Sequence, residues 1–574
     1  MRIKQRLQYN KQRDAFVGEV DSGKLLPSTS TAEPLLANSL LCFVLSGLSV
    51  RIRIPVGYFL TKNCTGRQLF VLIQYAIKQV EAAGFVVVRI VTDNHRINVL
   101  AMELLCNGNL THCIQHPENP ARKLFLAFDQ CHLIKNIRSQ FLARDLGESG
   151  EVSSAHLKQL YRMQQGNIVK PVRFLTRKHV YPSNIEKMNV SRAVQVFSPP
   201  VTAALKVLKE QAGHTADISF AGVGPTVQFM ETVHRWFLLM DVSNCVQHIH
   251  QKLPDSKQYE TADDIRLTWL LTSFLEYLEE MKNKCTQKQF LSKETYHALV
   301  MTTKSNVECV KYLLETSNFK FVLTRKLSSD PIESFFGWLR RSAGSNDQTD
   351  AQAVLSGIEK VLKTGIISAS KNSNVVDTTS HASGALHNAG KSRDDHSGHF
   401  PAEATRLLED RLKKPASLLP TVDMAAISMV GGYLARVIQE QIDCSSCISL
   451  VSKPSSASPS DSLIRHQDRG GLLYPSRQLV HVLHALKIYV EVILSKRRNL
   501  AKPLQEAVDN AVPVLADCGV LKCTRPEHHL QLLKIVCTKY FRPIFTNYAL
   551  SVTDKNDMAK TFFVKPLSRK QLKL

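Results

Sequence analysis

Two aspartates in the first quarter of the chain stand where predicted strands end. The β-branched run 85–92 predicts a buried strand, and this run stops at Asp93. Residues 124–128 predict a second strand, which stops at Asp129. Carboxylates at strand ends favour a functional site at one edge of a sheet, although the same residues also cap a following helix.

The other predicted elements of residues 1–145 indicate an α/β domain that opens with strands. Apolar spacing predicts a helix over 65–83 that stops at Gly84, and further helices over 94–106 and from about Cys131. The strand candidates that precede them are 2–9, 14–20, 35–47 and 50–60. This order matches an RNase H-like mixed sheet.

A short acidic and aromatic segment predicts a helix that begins near Asp330. Asp330-Pro-Ile-Glu333-Ser-Phe-Phe-Gly-Trp places two carboxylates three residues apart, so that Asp330 would cap the helix and Glu333 would project from its first turn. Phe335, Phe336 and Trp338 would pack the helix down. A glutamate held in this way suits hard cations such as Mg²⁺, although the residues also fit an ordinary capping box.

The remainder of the chain is predicted to be helical, with two polar interruptions. Helical spacing recurs between residues 146 and 325, and the acidic helix lies within 326–367. Residues 368–402 are poor in large apolar side chains and predict a disordered linker. A helical C-terminal domain follows over 403–574, with a Ser/Pro-rich linker near 452–462. The predicted class is therefore an α/β, RNase H-like mixed sheet interrupted by an all-α insertion domain, plus a helical C-terminal region.

Charge and cysteine content constrain the partner and the compartment. Lys and Arg number 73 against 50 acidic residues, which gives a net charge of +23 and favours a polyanion such as DNA. Thirteen cysteines in 574 residues do not form a disulfide framework, so a reduced, nuclear setting is expected. No apolar run is long enough to suggest a membrane span. A homo-oligomer is compatible with the sequence.

Several segments, in the same order, resemble P element-type transposases, a family often linked to a THAP zinc domain. They are Gly57-Tyr-Phe-Leu-Thr-Lys62, Ile90-Val-Thr-Asp93-Asn, Phe128-Asp129-Gln-Cys-His132, Asp330-Pro-Ile-Glu333, Gly470-Gly-Leu-Leu-Tyr-Pro-Ser476 and the basic stretch at 565–573. The resemblance implies an RNase H-like domain split by a helical insertion that binds GTP. It also implies Mg²⁺-dependent DNA cleavage and strand transfer.

The resemblance implies which residues would hold the metal. Asp93 and Glu333 match two of the three catalytic and metal-binding carboxylates of the family. The first aspartate of the family opens the first strand, and in this chain the match begins only at Met1. The expectation is a fragment, or a gene model that starts at an internal methionine, in which catalysis is impaired.

The resemblance also implies a nucleotide site in the insertion. Asp241 and Asn244 match the residues that contact guanine, and a carboxylate suits the N1 and N2 hydrogens of that base. Val190, Ser198 and Asp330 match further contact positions. Asn189 stands where a lysine is usual. Without the resemblance, an Asp-x-x-Asn pair at a helix end is more often an ordinary polar surface.

Four basic residues flank the predicted acidic edge and are candidates for contact with DNA phosphates, although each also fits a solvated helix face. They are Lys135, Arg138, Arg340 and Arg341. No metal site is predicted from the cysteine and histidine groups elsewhere. The paired spacing of a zinc finger is absent from Cys106 to His116 and from Cys523 with His528 and His529, and Cys444-Ser-Ser-Cys447 is a lone motif.

Three functions follow from the sequence. The first is a transposase-derived protein whose activity depends on an aspartate ahead of Met1. The second is a non-catalytic nuclear DNA-binding protein retained from a transposon, which predicts binding that weakens steeply with salt. The third is a guanine nucleotide-binding module without a role on DNA.

Overall fold

The structure is a computed structural model that describes residues 1–10, 15–21, 35–50, 52–212, 219–342, 349–364, 400–414, 421–454, 458–496 and 502–563. The predicted linker 368–402 falls almost wholly outside these residues, and so does the basic stretch 565–573. The chain divides into two compact units. Unit 1 comprises residues 1–154, 177–198 and 228–384, and unit 2 comprises residues 155–176, 199–227 and 385–574.

Unit 1 contains the larger sheets. Its elements up to residue 143 are β1 Gln8–Asn10, β2 Ala15–Val17, β3 Ser39–Ser46, β4 Arg53–Thr61, α1 Gly66–Ala82, β5 Arg89–Thr92, α2 Arg96–Leu105, β6 Cys113–His116, β7 Asn119–Phe128 and α3 Gln130–Ala143. β3 and β4 are antiparallel, β5 runs parallel to β7, and β6 is antiparallel to β7. Arg2, which lies ahead of β1, also forms an antiparallel bridge with Ser39 of β3.

The helices that follow in chain order are α4 Ala155–Met163, α5 Arg177–Val180, α6 Val190–Phe197, α7 Pro199–Ala212, α8 Gly224–Met240, α9 Gln247–His250, α10 Ile265–Trp269, α11 Leu275–Lys284, α12 Lys293–Glu315, α13 Asp330–Ser342 and α14 Ala351–Thr364. A π-helical stretch, Leu270–Phe274, joins α10 to α11. The predicted helical spacing of this region is confirmed.

Local hydrogen bonds explain two differences from the predicted elements. The strand predicted over 85–92 covers only Arg89–Thr92, because Gly84 turns the chain at a φ of +88° and the Val87 N–H donates to Glu81 Oε1 at 2.6 Å. The stretch of helical apolar spacing that begins at residue 190 is divided into two helices, α6 and α7. Ser198 ends α6 with its hydroxyl on the Gln195 carbonyl, and Pro199, which has no N–H, begins α7.

The C-terminal part of unit 2 is a helical bundle. Its elements are α15 Ala402–Lys413, α16 Val422–Gln441, α17 Ser445–Val451, β8 Ser452–Lys453, α18 Ser462–Gln467, β9 Tyr474–Pro475, α19 Arg477–Ser495, α20 Pro503–Asp517 and α21 Pro526–Phe563. α19 is long and apolar enough to cross a membrane by length and composition. Its apolar residues, among them Leu479, Leu486 and Ile493, are buried in the centre of this bundle, so it serves as a core helix.

The stretch predicted as a Ser/Pro-rich linker near 452–462 is ordered at both ends. Lys453 pairs with Tyr474 across β8 and β9. Asp461 is fully buried, where its carboxylate contacts the Lys453 ammonium at 2.6 Å and accepts from Ser428 Oγ at 2.7 Å. The described ends of this stretch are therefore part of the bundle.

Candidate acidic and nucleotide sites

Backbone pairing brings the two strand-end aspartates to one edge of the sheet. β5 and β7 are parallel and in register from Arg89 with Phe125 to Thr92 with Phe128. The Asp129 N–H then donates to the Thr92 carbonyl at 2.9 Å. Asp93 and Asp129 are therefore next to each other at the carboxyl ends of adjacent strands. Asp93 is exposed, and its Oδ1 accepts from Asn98 Nδ2 at 2.5 Å.

Asp129 caps the following helix, which is one of the two roles that the sequence left open. Its side chain is 1% exposed. One oxygen caps α3 by accepting from the His132 N–H at 3.0 Å, and the other accepts from the Ser329 N–H at 3.0 Å. Both carboxylate oxygens are thus occupied by backbone donors. Asp129 fixes the start of α13 beside the end of β7, which brings Glu333 to the same edge as Asp93.

Glu333 projects from the first turn of α13 toward a group of cations. Its Oε1 is 3.4 Å from His132 Nε2. The hydrogen bond from His132, together with the charges of His132, Lys135 and Arg340, lowers the pKa of Glu333. This glutamate is therefore anionic at neutral pH, as a ligand for a hard cation requires.

The amino group of Met1 lies close to this acidic pair. It donates to the Leu40 carbonyl at 2.7 Å and is within electrostatic range of Arg340, Glu333 and Asp93. Burial, followed by the charge of Arg340, lowers the pKa of this amino group. We call Asp93, Glu333 and the surroundings of the Met1 amino group the acidic edge.

Apolar packing holds α13 in place. Phe335 and Leu339 are fully buried against Leu40 of β3 and against apolar residues of α14, and Trp338 packs partly against the same core. The aromatic residues of the acidic helix therefore pack as predicted. Burying a phenylalanine of this kind contributes roughly 2–3 kcal/mol, enough to fix the first turn of the helix.

The predicted cap of α13 is wrong. The Ser329 carbonyl accepts the first helical hydrogen bonds, from the N–H groups of Ile332 and Glu333. Asp330 is already the first helical residue. Its carboxylate is bound instead to Arg325, at 3.1 Å from Nε and 3.0 Å from Nη2.

Arg325 joins two carboxylates that are distant in sequence. Besides Asp330, its Nη1 is 3.2 Å from Asp241 Oδ2. The Cys131 thiol also donates to Asp330, at 3.7 Å. We call Asp241, Arg325 and Asp330 the arginine-linked carboxylates. The side chains of all three are less than 20% exposed.

One oxygen of Asp241 has no partner. Its Oδ1 is buried without a hydrogen-bond donor, while Oδ2 is taken by Arg325. Burial raises the pKa of Asp241 to about 7, because the charge of Arg325 is opposed by Asp330 and Asp129. An unpartnered buried carboxylate oxygen is a costly feature that a donor from a ligand would satisfy. The donor pair of a guanine base fits this requirement.

The other predicted nucleotide contacts are spread over the insertion. Asn244 is exposed, and its Oδ1 accepts from the N–H groups of Val246 and Gln247 at the start of α9. Val190 and Ser198 lie at opposite ends of α6, which packs against α3 and α5. The structure thus joins Asp241 to Asp330 through Arg325, whereas Val190 and Ser198 lie on a separate helix, α6.

The four predicted phosphate-contacting residues differ in their surroundings. Lys135 and Arg340 lie near Glu333, and Arg341 follows in the last turn of α13. Arg138 does not fit the prediction, because its side chain is fully buried and its Nη2 donates to the Lys187 carbonyl at 2.6 Å. A buried guanidinium cannot reach the phosphate backbone of DNA.

Sequence reasoning missed Arg325, which connects the carboxylates of Asp241 and Asp330. The signal for its role was weak, because one partner is five residues away and the other is separated by 84 residues. Sequence reasoning also missed the direct contact between the His132 side chain and Glu333.

The comparisons with known proteins indicate similarity to transposases of the RNase H-like type. Three family profiles match separate parts of the chain: "TNP-like, RNase H N-terminal domain" over residues 1–106, "TNP-like, GTP-binding insertion domain" over 131–254, and "DNA transposase THAP9, C-terminal domain" over 417–549. The resemblance to P element-type transposases is thereby confirmed.

Two curated proteins and one solved structure are similar to the chain. DNA transposase THAP9 of Homo sapiens is 24% identical over 357 residues, which is 59% of this chain and 37% of that protein. The Transposable element P transposase of Drosophila melanogaster is 22% identical over 278 residues, 47% of this chain and 34% of that protein. These alignments span about a third of either relative.

The solved structure supports the fold. The Drosophila P element transposase strand transfer complex aligns at a TM-score of 0.50 and 19% identity, covering 63% of this chain and 74% of that one. The predicted class, an RNase H-like α/β domain with a helical insertion and a helical C-terminal region, is confirmed.

Proposed function

We propose that this chain is a transposase-derived, nuclear DNA-binding protein with a guanine nucleotide site and a Mg²⁺ site. The observation that carries the proposal is the convergence of Asp93 and Glu333 at one edge, with Lys135 and Arg340 beside them. DNA is the polyanion that the charge of +23 favours, and the relatives are named as transposases.

Asp93 and Glu333 fit a Mg²⁺ ion because both offer carboxylate oxygens and Glu333 is held anionic. A bound Mg²⁺ would supply an activated water or hydroxyl and charge stabilisation for phosphodiester cleavage. The residues of the chain itself hold the oxygens at a rigid edge and place cations beside it. His132 competes with a metal for Glu333, and the Met1 amino group adds a nearby positive charge.

A carboxylate joined ahead of Met1 is expected to strengthen the metal site. Because the Met1 amino group lies among Asp93 and Glu333, an Asp-Glu extension would remove its charge there and add oxygen ligands. We expect affinity for Mn²⁺, used as a spectroscopic substitute for Mg²⁺, to rise about tenfold, which corresponds to about 1.4 kcal/mol. Electron paramagnetic resonance titration of free Mn²⁺ measures this change.

An Asn-Gln extension is the matched control, since it lengthens the chain equally without adding charge. Asp93→Asn and Glu333→Gln, each made in the extended chain, should remove the gain. Equal affinity for the Asp-Glu and Asn-Gln chains would show that the start of the chain does not face the metal.

DNA binding is expected to depend on the cations near the acidic edge. Arg340→Ala should reduce the slope of log affinity against log salt by about 0.9, because one phosphate contact releases its counterions. Lys135→Ala should have the same effect. Fluorescence anisotropy of a labelled duplex across a salt series measures the slope.

Lys363→Ala is the control, because Lys363 is 73% exposed and pairs with Glu359 on α14. It should leave the slope almost unchanged. A protein that binds DNA with no salt dependence, or variants that all behave alike, would contradict the placement of DNA at this edge.

The fit of the guanine nucleotide rests on the unpartnered oxygen of Asp241. Asp241 would accept from the N1 and N2 hydrogens of the base, while Arg325 holds its other oxygen and so fixes the orientation of the carboxylate. The phosphates of the nucleotide would add negative charge close to the DNA-binding surface. The predicted contacts of Val190, Ser198, Asn244 and Asp330 remain part of this proposal.

A further inference from the structure

Two cysteine-containing segments of the C-terminal bundle come together although they are far apart in sequence. Cys444 precedes α17 and Cys447 lies in its first turn, while Cys523 lies between α20 and α21 and His528 lies in the first turn of α21. One ligand atom from each residue lies within 4.8 Å of the ligand atoms of the other three. Both segments belong to unit 2.

The spacing of the sulfur atoms matches a tetrahedral metal site. Zinc–sulfur bonds of about 2.3 Å in a tetrahedron place two sulfurs about 3.8 Å apart. Cys444 Sγ and Cys523 Sγ are 3.9 Å apart in the structure. A disulfide would require about 2.05 Å. The geometry is thus that of ligands around a common ion.

The fourth residue offers a nitrogen to the same centre. His528 Nδ1 is buried and has no hydrogen-bond partner. The adjacent histidine is already committed, because His529 Nε2 is 2.9 Å from the Val520 carbonyl. The two histidines therefore differ in role, and only His528 offers the sulfur cluster a free acceptor.

The surroundings favour a closed site. Cys447 and Cys523 are almost fully buried within the apolar core of the bundle. Zinc ligands of this kind are thiolates, and a full set of four protein ligands marks a structural site, not a catalytic one.

We propose that Cys444, Cys447, Cys523 and His528 bind one Zn²⁺ ion, which links the start of α17 to the start of α21. The ion would join Cys447 to Cys523, which are 76 positions apart, and hold two helix starts of the bundle together. This role is independent of DNA and nucleotide binding by unit 1.

The first test is metal content. The whole chain, purified from a zinc-supplied culture, should contain one zinc per molecule by inductively coupled plasma mass spectrometry. Cys447→Ser and Cys523→Ser should lose it. Cys518→Ser is the matched control, because Cys518 is a nearby cysteine of the same bundle outside the cluster, and this variant should keep its zinc.

A second test uses only the wild-type chain, so that it does not depend on the folding of any variant. Exchange of the metal for Co²⁺ should produce a thiolate-to-cobalt charge-transfer band and visible bands of a tetrahedral site with three sulfurs and one nitrogen. Chelation should lower the melting temperature of the chain, and added Zn²⁺ should restore it.

Three outcomes would overturn the proposal. One is wild-type protein without zinc in which mass spectrometry finds a Cys444–Cys523 disulfide. Another is zinc retained equally by the Cys447→Ser and Cys518→Ser variants, which means an adventitious ion only. The third is a Co²⁺ spectrum without a thiolate band.

Discussion

Replacing Asp241 with asparagine is expected to weaken binding of GTP about 100-fold, equivalent to roughly 2.7 kcal/mol. The carboxylate presents acceptors to the N1 and N2 hydrogens of guanine, whereas an amide presents one acceptor and one donor, and the donor faces a donor. The buried oxygen without a partner, Oδ1, is the atom that the base would satisfy. Anisotropy of a fluorescent GTP analogue measures the loss.

The affinity of the wild-type chain for GTP should also depend on pH in a defined direction. Only the ionised carboxylate accepts both hydrogens, and the pKa of Asp241 is raised to about 7. Binding should therefore weaken about tenfold for each pH unit below 7 and level off above it. ATP, whose N1 carries no hydrogen, should bind poorly at every pH.

Asp255→Asn is the matched control for the Asp241 variant. Asp255 is also a carboxylate of unit 1 with one arginine partner, Arg235, at 2.8 Å. The control should bind GTP as the wild type does. If Asp241→Asn retained full affinity, Asp241 would have no role in recognising the base, and the proposed nucleotide site would have to be abandoned.

The second large effect is expected from Arg325→Met, which should destabilise unit 1 by about 3–5 kcal/mol. The substitution leaves Asp241 and Asp330 buried near each other and near Asp129 without the cation that compensates them. Methionine is also a long, unbranched side chain, so the loss of stability comes mainly from the removed charge and not from lost packing. Thermal unfolding followed by circular dichroism measures the change.

The loss caused by Arg325→Met should be smaller in acid than at pH 8. The pKa values of Asp241 and Asp330 are both raised by burial, so the folded state takes up protons that the unfolded state does not. Their contribution to stability is complete below the unfolded pKa of about 4 and declines as pH rises through the folded pKa, which is about 7 for Asp241. Protonation in acid therefore neutralises the uncompensated pair.

Arg235→Met provides the comparison. Arg235 pairs with Asp255 but is 40% exposed, so its loss should change stability by no more than about 1 kcal/mol and with little pH dependence. Equal effects of the two arginine substitutions would mean that Arg325 is not compensating buried charge.

Local sequence signals predicted the elements whose hydrogen bonds are also local. The helix predicted over 65–83 is observed as Gly66–Ala82, with Thr65 and Gln68 forming a reciprocal capping box at its start. The sequence places Asp93 at a strand end and Glu333 in a first helical turn, whereas their role as metal ligands is implied by the family resemblance. Their meeting depends on Asp129, whose bond to Ser329 has no local signal.

The features that escaped prediction are made by partners far apart in the chain or by burial. Asp330 resembles a helix cap because aspartate suits that position, but its carboxylate is attracted more strongly by Arg325. The burial of Arg138 could not be predicted from its charge either. The sequence shows that Arg138 lies on a helix, but it does not show that other residues cover that side of the helix.

The cysteine cluster shows the same limit of sequence reasoning. Cys444 with Cys447, and Cys523 with His528, each carry half of a ligand set. The first half is a lone Cys-x-x-Cys pair, and the second lacks the paired spacing of a zinc finger. Only the packing of α17 against α21 brings the halves within reach of one another. A pattern along the chain cannot supply that contact.

The bond between Asp129 and Ser329 joins residues that are 200 positions apart. At a synthesis rate of about 5–20 residues per second, roughly 10–40 s separate the emergence of these two partners from the ribosome. During that interval the apolar face of β3, with Leu40 and Cys42, lacks the Phe335 and Leu339 side chains that later cover it. The nascent chain therefore exposes an aggregation-prone apolar surface while the insertion is being synthesised. We expect it to need chaperone protection at that stage.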